Sequence, residues 1–245
     1  MLQIAPLMAY LLPEAKGMTV GGNILLLPLL NPVHVAEESA TLDVLSGGNF
    51  VLGVGLGYRE GEFEAFGVSL KERAARFTES IALIRQLWTG EKVTFHGKFY
   101  RVTDHAISHA PARPGGPPVW VAGLVEAAVR RAARIGDGWL IANATTMGAT
   151  KPLMEVYRKA LAEYGKTPAE FPIARECYVG DSNATAFEEM ARDRFIVGDK
   201  VKVKEEIARW KEELGVDHFS MRVQWPGLPQ EKVLASIRRL GEIFA

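Results

Sequence analysis

The sequence predicts an α/β fold built on a parallel sheet. Six short apolar segments alternate along the chain with longer segments in which apolar residues recur every three or four positions. The short segments are apolar almost throughout, which is typical of strands that are buried on both faces. A strand followed by a helix, six times over, favours parallel strands joined by right-handed crossovers.

The predicted elements follow one another from residue 19 to residue 244. The strands are expected at residues 19–28, 50–57, 119–123, 139–142, 173–180 and 218–224. The helices are expected at residues 32–45, 70–88, 126–135, 151–164, 184–214 with a break near Gly198, and 229–244. The sequence VTFHGKFYRV predicts a small hairpin within an insertion at about 91–118.

Bulk composition limits the class of protein. The 245 residues are 48% hydrophobic and 24% charged, so we expect one domain over residues 1–245. The chain has 29 basic residues (lysine and arginine) and 29 acidic residues (aspartate and glutamate), so its formal net charge is zero. It therefore has no net positive charge to attract nucleic acid or an anionic membrane surface. A signal peptide and a bilayer-spanning segment are not expected, and a single cysteine cannot form an internal disulfide. These features predict a cytoplasmic protein.

Two parallel architectures fit the alternation, an open doubly wound sheet and a closed (β/α)8 barrel. The sequence GVGLGY contains Gly53, Gly55 and Gly57 but lacks the third glycine of the GxGxxG dinucleotide fingerprint, and a polar stretch follows it instead of a helix. We therefore interpret Gly55 and Gly57 as positions where the backbone passes close to another group at the strand end.

Four segments resemble the luciferase-like family of flavin- or deazaflavin-dependent barrel oxidoreductases. They are VGGNILLLPLLNPV at 20–33, ATLDVLSGGNFVLGVGLGYREGEFEAFGV at 40–68, KERAARFTESIALIRQLWTG at 71–90 and PPVWVAGLVEAAVRRAARIGDGWL at 117–140. The resemblance implies a (β/α)8 barrel whose first βαβ unit is missing, so that about six strands are present. In the family that unit carries a polar residue used in chemistry, so the catalytic residue is expected outside this sequence and stays unknown.

The resemblance also implies a site for FMN or coenzyme F420 at the strand ends. A non-prolyl cis peptide bond is expected between Asn23 and Ile24, against the cofactor ring. Gly55, Leu56 and Gly57 are expected beside the cofactor, where the apolar Leu56 can only pack.

The cofactor phosphate is expected to bind at two further places. Relatives commonly use an arginine from the region of Arg73 and Arg76, whose planar guanidinium makes paired hydrogen bonds. The start of the helix after the fifth barrel strand presents free N–H groups. The residues of that turn are Ala122, Gly123, Leu124, Val125 and Glu126. Relatives usually have serine or threonine in place of Val125, and Glu126 would repel a phosphate that came near it.

The family chemistry gives two alternative activities for this enzyme. FMN supports oxygen activation and monooxygenation of a small organic substrate, and F420 supports hydride transfer without oxygen. The segment DVLSGGNFVLGVGLGYREGEFEAFG resembles both branches of the family, and we favour the FMN-type monooxygenase, with the F420-dependent enzyme as the alternative. His34 and Trp139 are candidates for the substrate pocket. A flavin or F420 reductase and a second copy of the chain, packed through helix 32–45, are the expected partners.

The sequence leaves one other class of protein open and disfavours two others. Because Leu56 and Val125 lack polar groups, a non-catalytic degenerate barrel or scaffold protein remains an alternative. The five histidines form no metal triad, so no metal site is expected. A sugar or phosphate enzyme would need paired carboxylates at strand ends, but Glu62, Glu64 and Asp137 are interpreted as solvated turn residues.

Overall fold

The computed structural model describes residues 4–15, 17–143, 145–167, 170–179, 195–224 and 228–244. Contacts group the chain into two compact units. The first unit comprises Met1–Ala122 with Ile135–Asp137, and the second comprises Gly123–Arg134 with Gly138–Ala245. The expectation of one domain stays a prediction. None of the helices in these described ranges is long and apolar enough to cross a membrane.

The first unit is a small parallel sheet covered by helices. In chain order its elements are α1 (Ile4–Leu11), β1 (Val20–Gly21), β2 (Leu25–Leu26), α2 (Pro32–Leu45), β3 (Phe50–Gly55), α3 (Glu60–Ala65), α4 (Arg73–Leu87), β4 (Val93–His96), β5 (Arg101–His105) and β6 (Val119–Ala122). β1 and β2 pair in parallel with β3, and β3 pairs in parallel with β6. β4 and β5 form the predicted antiparallel hairpin. Every residue of β3 is buried, as its continuous apolar sequence predicts.

Helix α2 begins and ends at the predicted residues. The Asn31 side chain accepts a hydrogen bond from the Val33 backbone N–H, and Pro32 occupies the first helical position. Both features favour a helix start, because the cap satisfies a free N–H group and proline lacks one. The helix then buries Val35 and Leu42 in the core.

The second unit continues the alternation of strands and helices. Its elements are α5 (Glu126–Ile135), β7 (Gly138–Leu140), α6 (Met147–Glu163), β8 (Pro172–Val179), β9 (Phe195–Gly198), α7 (Lys200–Leu214), β10 (His218–Arg222) and α8 (Gln230–Phe244). β8 is central, since β10 and β9 both pair with it in parallel and Ile141 bridges to Ile173. The six predicted strands are therefore present among the described residues, with β1 and β2 together corresponding to 19–28.

The helix predicted over 184–214 is wrong over residues 195–198, which form β9. Ile196 pairs with Cys177 of β8 and is fully buried, and the aromatic and β-branched side chains of this segment favour a strand once a partner is present. Residues 184–194 lie outside the described residues. Helix α7 begins only at Lys200, where the Asp199 side chain accepts a hydrogen bond from the Lys202 N–H.

A buried carboxylate attaches the insertion at 91–118 to helix α2. Asp43 has no exposed side-chain surface, and it accepts hydrogen bonds from Arg113 N at 2.9 Å, Nε at 3.0 Å and Nη2 at 2.9 Å. Arg113 Nη2 also donates to the carbonyl oxygen of Phe50, the first residue of β3. The pair thus fixes the insertion, α2 and the start of β3 to one another.

The substitution Asp43→Asn tests this attachment. It removes the charge that pairs with Arg113 and places an N–H group against a donor, so we expect a loss of about 2 kcal/mol in the free energy of unfolding. Urea denaturation followed by circular dichroism measures it. The matched control is Asp104→Asn, because Asp104 and Lys92 form an exposed pair whose loss costs less than about 0.5 kcal/mol. Equal losses in the two variants would contradict the attachment.

Candidate active site

The segment 20–26 lies against β3 with almost no space between the two backbones. The Asn23–Ile24 peptide bond is cis, as predicted. A Cβ atom on Gly53 would lie 2.0 Å from the Gly22 carbonyl oxygen, and one on Gly55 would lie 2.1 Å from Cδ1 of Ile24. The interpretation that Gly55 permits a close approach is therefore confirmed, and the neighbour is Ile24 of the chain itself. Gly53, for which no such role was predicted, permits the approach of Gly22.

The chain turns sharply after the end of β3. Gly57 has a φ of 75°, which lies in the left-handed region that favours glycine. A Cβ atom there would also lie 3.1 Å from Cε2 of Phe63, which is buried on α3. Leu56 and Gly57 are half-buried. The turn brings these two predicted cofactor neighbours to the carboxyl end of β3, where ligands bind in parallel α/β folds.

The two candidate arginines differ in what they contact. Arg76 Nε donates to Glu72 Oε2 at 2.9 Å, and its guanidinium carbon lies 4.6 Å from the centre of the Phe99 ring. Arg73 is half-buried at the first position of α4, and its side chain has no hydrogen-bond or ion-pair partner within the ranges that the structure describes. Arg73 is therefore the arginine whose guanidinium is available to an anion.

His34 lies on the exposed side of helix α2. Its Nε2 atom is 3.2 Å from Glu38 Oε1, one helical turn further along. This contact explains the side-chain position without a ligand. A contact between His34 and substrate stays a prediction.

In the second unit, the turn that precedes α5 packs against buried residues of the same unit. A Cβ atom on Gly123 would lie 2.7 Å from the Cβ of Ala128, so only glycine fits this turn. Trp139 Nε1 donates to the Gly123 carbonyl oxygen at 2.9 Å, and the Trp139 residue is only 1% exposed. Trp139 thus positions the turn, and its predicted contact with substrate stays a prediction.

The same turn presents apolar side chains to solvent. Leu124 is 51% exposed and Val125 is 62% exposed. The Val125 carbonyl oxygen accepts from the N–H groups of Ala128 and Val129, which places Val125 at the helix cap. The N–H groups of Glu126 and the residue after it have no acceptor within the helix. Exposed apolar surface beside such donors suits a ligand with an apolar ring and a phosphate, although the Glu126 carboxylate opposes a close phosphate.

Asp137 does not fit its interpretation as a solvated turn residue. Its Oδ2 atom accepts from Arg85 Nη2 and from the Val119 backbone N–H, both at 2.8 Å. The side chain is one-third exposed and holds the start of β6 to α4. Asp137 is therefore a structural residue.

A polar group that sequence reasoning missed lies in the second unit. Asn143, Glu176 and Arg222 come from three different strands or their ends, and Glu176 is buried. Only the pairing of β10 with β8 brings Arg222 beside Glu176, so no local sequence signal could have found the group. Among the described residues, no cluster of three histidine, cysteine or acidic side chains could hold a metal ion.

Comparison with known proteins identifies the family. The family model described as luciferase-like monooxygenase matches residues 2–235. The chain belongs to the luciferase-like monooxygenase family. This membership confirms the predicted resemblance and the prediction of an oxidoreductase family.

Two curated relatives give the degree of similarity. The chain is 36% identical over 161 residues to an F420-dependent hydroxymycolic acid dehydrogenase of Mycobacterium tuberculosis, a match that covers 64% of this chain and 43% of that protein. It is 35% identical over 167 residues to an F420-dependent glucose-6-phosphate dehydrogenase of Amycolatopsis mediterranei, covering 67% of this chain and 46% of that protein. The matches thus span less than half the length of these relatives.

Solved structures show the fold. Monooxygenase RslO1 from Streptomyces bottropensis superposes with a TM-score of 0.88 and 22% identity, covering 98% of this chain and 81% of that chain. The F420-dependent tetrahydromethanopterin reductase from Methanopyrus kandleri superposes with a TM-score of 0.79 and 15% identity, covering 98% and 86%. These likenesses confirm the predicted α/β fold class of the (β/α)8-barrel type.

The close approach of the segment 20–26 to β3 can be tested with Gly53→Ala. The added methyl group would meet the backbone oxygen of Gly22, so the segment must move, and we expect a loss of about 2 kcal/mol or more in the free energy of unfolding. Gly61→Ala is the matched control. Gly61 lies in α3 with nothing within 4 Å of an added Cβ, so this change leaves stability unaltered or raises it by up to about 1 kcal/mol. A Gly53→Ala protein as stable as the Gly61→Ala protein would contradict the packing.

Proposed function

We propose that this chain belongs to an oxidoreductase that binds coenzyme F420 and transfers a hydride to or from a small organic substrate. The observation that carries the proposal is that several curated relatives are named as F420-dependent dehydrogenases. Those named as F420-dependent dehydrogenases are 34–41% identical to the chain over 116–167 residues. The sequence alone favoured FMN over F420, and the named relatives shift the preference.

Several groups on the chain suit such a cofactor. Arg73 of the first unit is half-buried, has no side-chain partner in the described part of the chain, and has the charge and the donors to bind a phosphate. In the second unit, the first N–H groups of α5 also suit an anionic group, and Leu124 and Val125 offer apolar contact. When bound, the deazaflavin supplies the hydride chemistry, and the protein binds it, orients it and excludes water.

The second candidate function is that of an FMN-dependent monooxygenase. It is favoured by the description of the family, luciferase-like monooxygenase. FMN also combines an apolar ring with a phosphate, so the same residues suit it. The two candidates differ in the acceptor of the electrons, because the monooxygenase requires oxygen.

The proposal includes the partners expected from the sequence. They are a small-molecule substrate, a flavin or F420 reductase, and a second copy of the chain packed through α2, all in the cytoplasm. The exposed apolar residues Val44 and Leu45 at the end of α2 are compatible with such an interface.

Fluorescence titration of the purified chain with F420 and with FMN tests the cofactor. We expect saturable binding of F420 that is tighter than binding of FMN. Tighter binding of FMN, followed by oxygen consumption on reduction, would support the monooxygenase instead. Absence of binding by either cofactor would contradict both and favour the non-catalytic scaffold protein.

The contribution of Arg73 can be measured in the same titration. Arg73→Gln removes a charge-assisted hydrogen bond to phosphate, so we expect the dissociation constant for F420 to rise about tenfold. Arg76→Gln should change it less than about twofold, because Arg76 already pairs with Glu72. The control is Lys71→Gln, an exposed cation next to the helix, which should have no effect. A larger effect from Arg76→Gln than from Arg73→Gln would contradict the assignment.

A further inference from the structure

A buried carboxylate of the second unit lies on the face of β8 that points away from α7. The residue before it, Arg175, is fully buried, and its guanidinium carbon lies 4.0 Å from the centre of the Trp210 ring on α7. Consecutive side chains of a strand point to opposite faces. Glu176 therefore points away from α7. It stands beside Arg222 in the register of β8 with β10.

One oxygen of this carboxylate accepts a hydrogen bond, and the other has no hydrogen-bond partner among the described residues. Glu176 Oε1 accepts a hydrogen bond from Asn143 Nδ2 at 2.6 Å and lies 3.8 Å from Arg222 Nη1. Glu176 Oε2 is buried and has no hydrogen-bond partner among the described residues. The Glu176 side chain as a whole is only 10% exposed. Buried polar atoms are nearly always paired, so Oε2 indicates a donor from outside the described residues.

The neighbours of the carboxylate select the kind of donor. Arg222 already balances its charge, and the Arg222 side chain is itself 59% exposed. A cationic ligand at Oε2 would lie near the Arg222 guanidinium and be repelled by it. A ligand with acceptors alone, such as a ketone, could not pair with Oε2. A neutral hydroxyl group carries a hydrogen-bond donor and no positive charge, so neither objection applies to it.

We propose that Glu176 is a specificity-determining residue that accepts a hydrogen bond through Oε2 from a neutral hydroxyl group of a bound ligand. Asn143 and Arg222 are positioning residues, because they hold Oε1 and leave Oε2 for the ligand. The identification of this ligand as the substrate rests on the proposed function.

Three six-membered-ring probes of similar size test the proposal, namely cyclohexanol, cyclohexanone and cyclohexylammonium. Saturation-transfer difference NMR on the full chain measures the dissociation constant of each. We expect cyclohexanol to bind about tenfold more tightly than cyclohexanone, since a hydrogen bond to a buried charged acceptor is gained. Cyclohexylammonium should also bind more weakly than cyclohexanol.

The variant Glu176→Gln replaces the hydrogen-bond acceptor Oε2 with a hydrogen-bond donor. An amide N–H takes the place of Oε2 and donates, so we expect this variant to prefer cyclohexanone to cyclohexanol. Glu155→Gln is the matched control, an exposed glutamate on α6 whose replacement should leave the preference for cyclohexanol unchanged. Thermal unfolding followed by circular dichroism verifies that both variants fold.

Several results would overturn the proposal. They are equal affinities of the unmodified chain for the alcohol and the ketone, no binding of any probe, tighter binding of the ammonium, or an unchanged preference in a folded Glu176→Gln protein. Titration of the same samples with F420 and FMN separates the two claims. Cofactor binding without a preference for the alcohol overturns only the role of Glu176, and that preference without cofactor binding overturns only the proposed function.

Discussion

The first unit depends on the absence of side chains at two positions of β3. At Gly53 and Gly55 the space of a Cβ atom is taken by Gly22 and Ile24, so β1 can pair with the first two residues of β3 and β2 with its last two. β6 pairs with the opposite edge of β3, which makes β3 the buried centre of the sheet. A side chain at either glycine would push the segment 20–26 away and displace the strand end where the candidate cofactor residues lie.

Periodicity and capping explain why much of the fold could be predicted from the sequence. Helices α2 and α5 were predicted with their observed bounds, because the spacing of apolar residues is a local property of the sequence, and the Asn31 cap that fixes the start of α2 is local too. β9 could not be predicted in the same way. It has four residues, and its stability comes from pairing with β8, which is a tertiary interaction. The role of Asp137 likewise required Arg85, a residue 52 positions away in the chain.

The candidate site could be predicted less well than the fold, for a physical reason. Chain position placed Arg73 and Arg76 together, but the contact with Glu72 that occupies Arg76 depends on side-chain geometry. Trp139 was a candidate for the pocket, and its buried hydrogen bond to Gly123 gives it a structural role. The unpaired oxygen of Glu176 depends on strand register and on the position of Asn143. Charge, burial and pairing of a side chain are properties of the folded molecule.

Hydrogen exchange followed by mass spectrometry, with and without saturating F420, tests most directly the claim that the carboxyl end of β3 binds the cofactor. Residues 56–59 lie outside strand and helix, so their N–H groups exchange readily unless something covers them. The account predicts slower exchange in the peptide that contains Leu56 and Gly57 when F420 is bound. Unchanged exchange in that peptide, in a sample that binds F420, would contradict it.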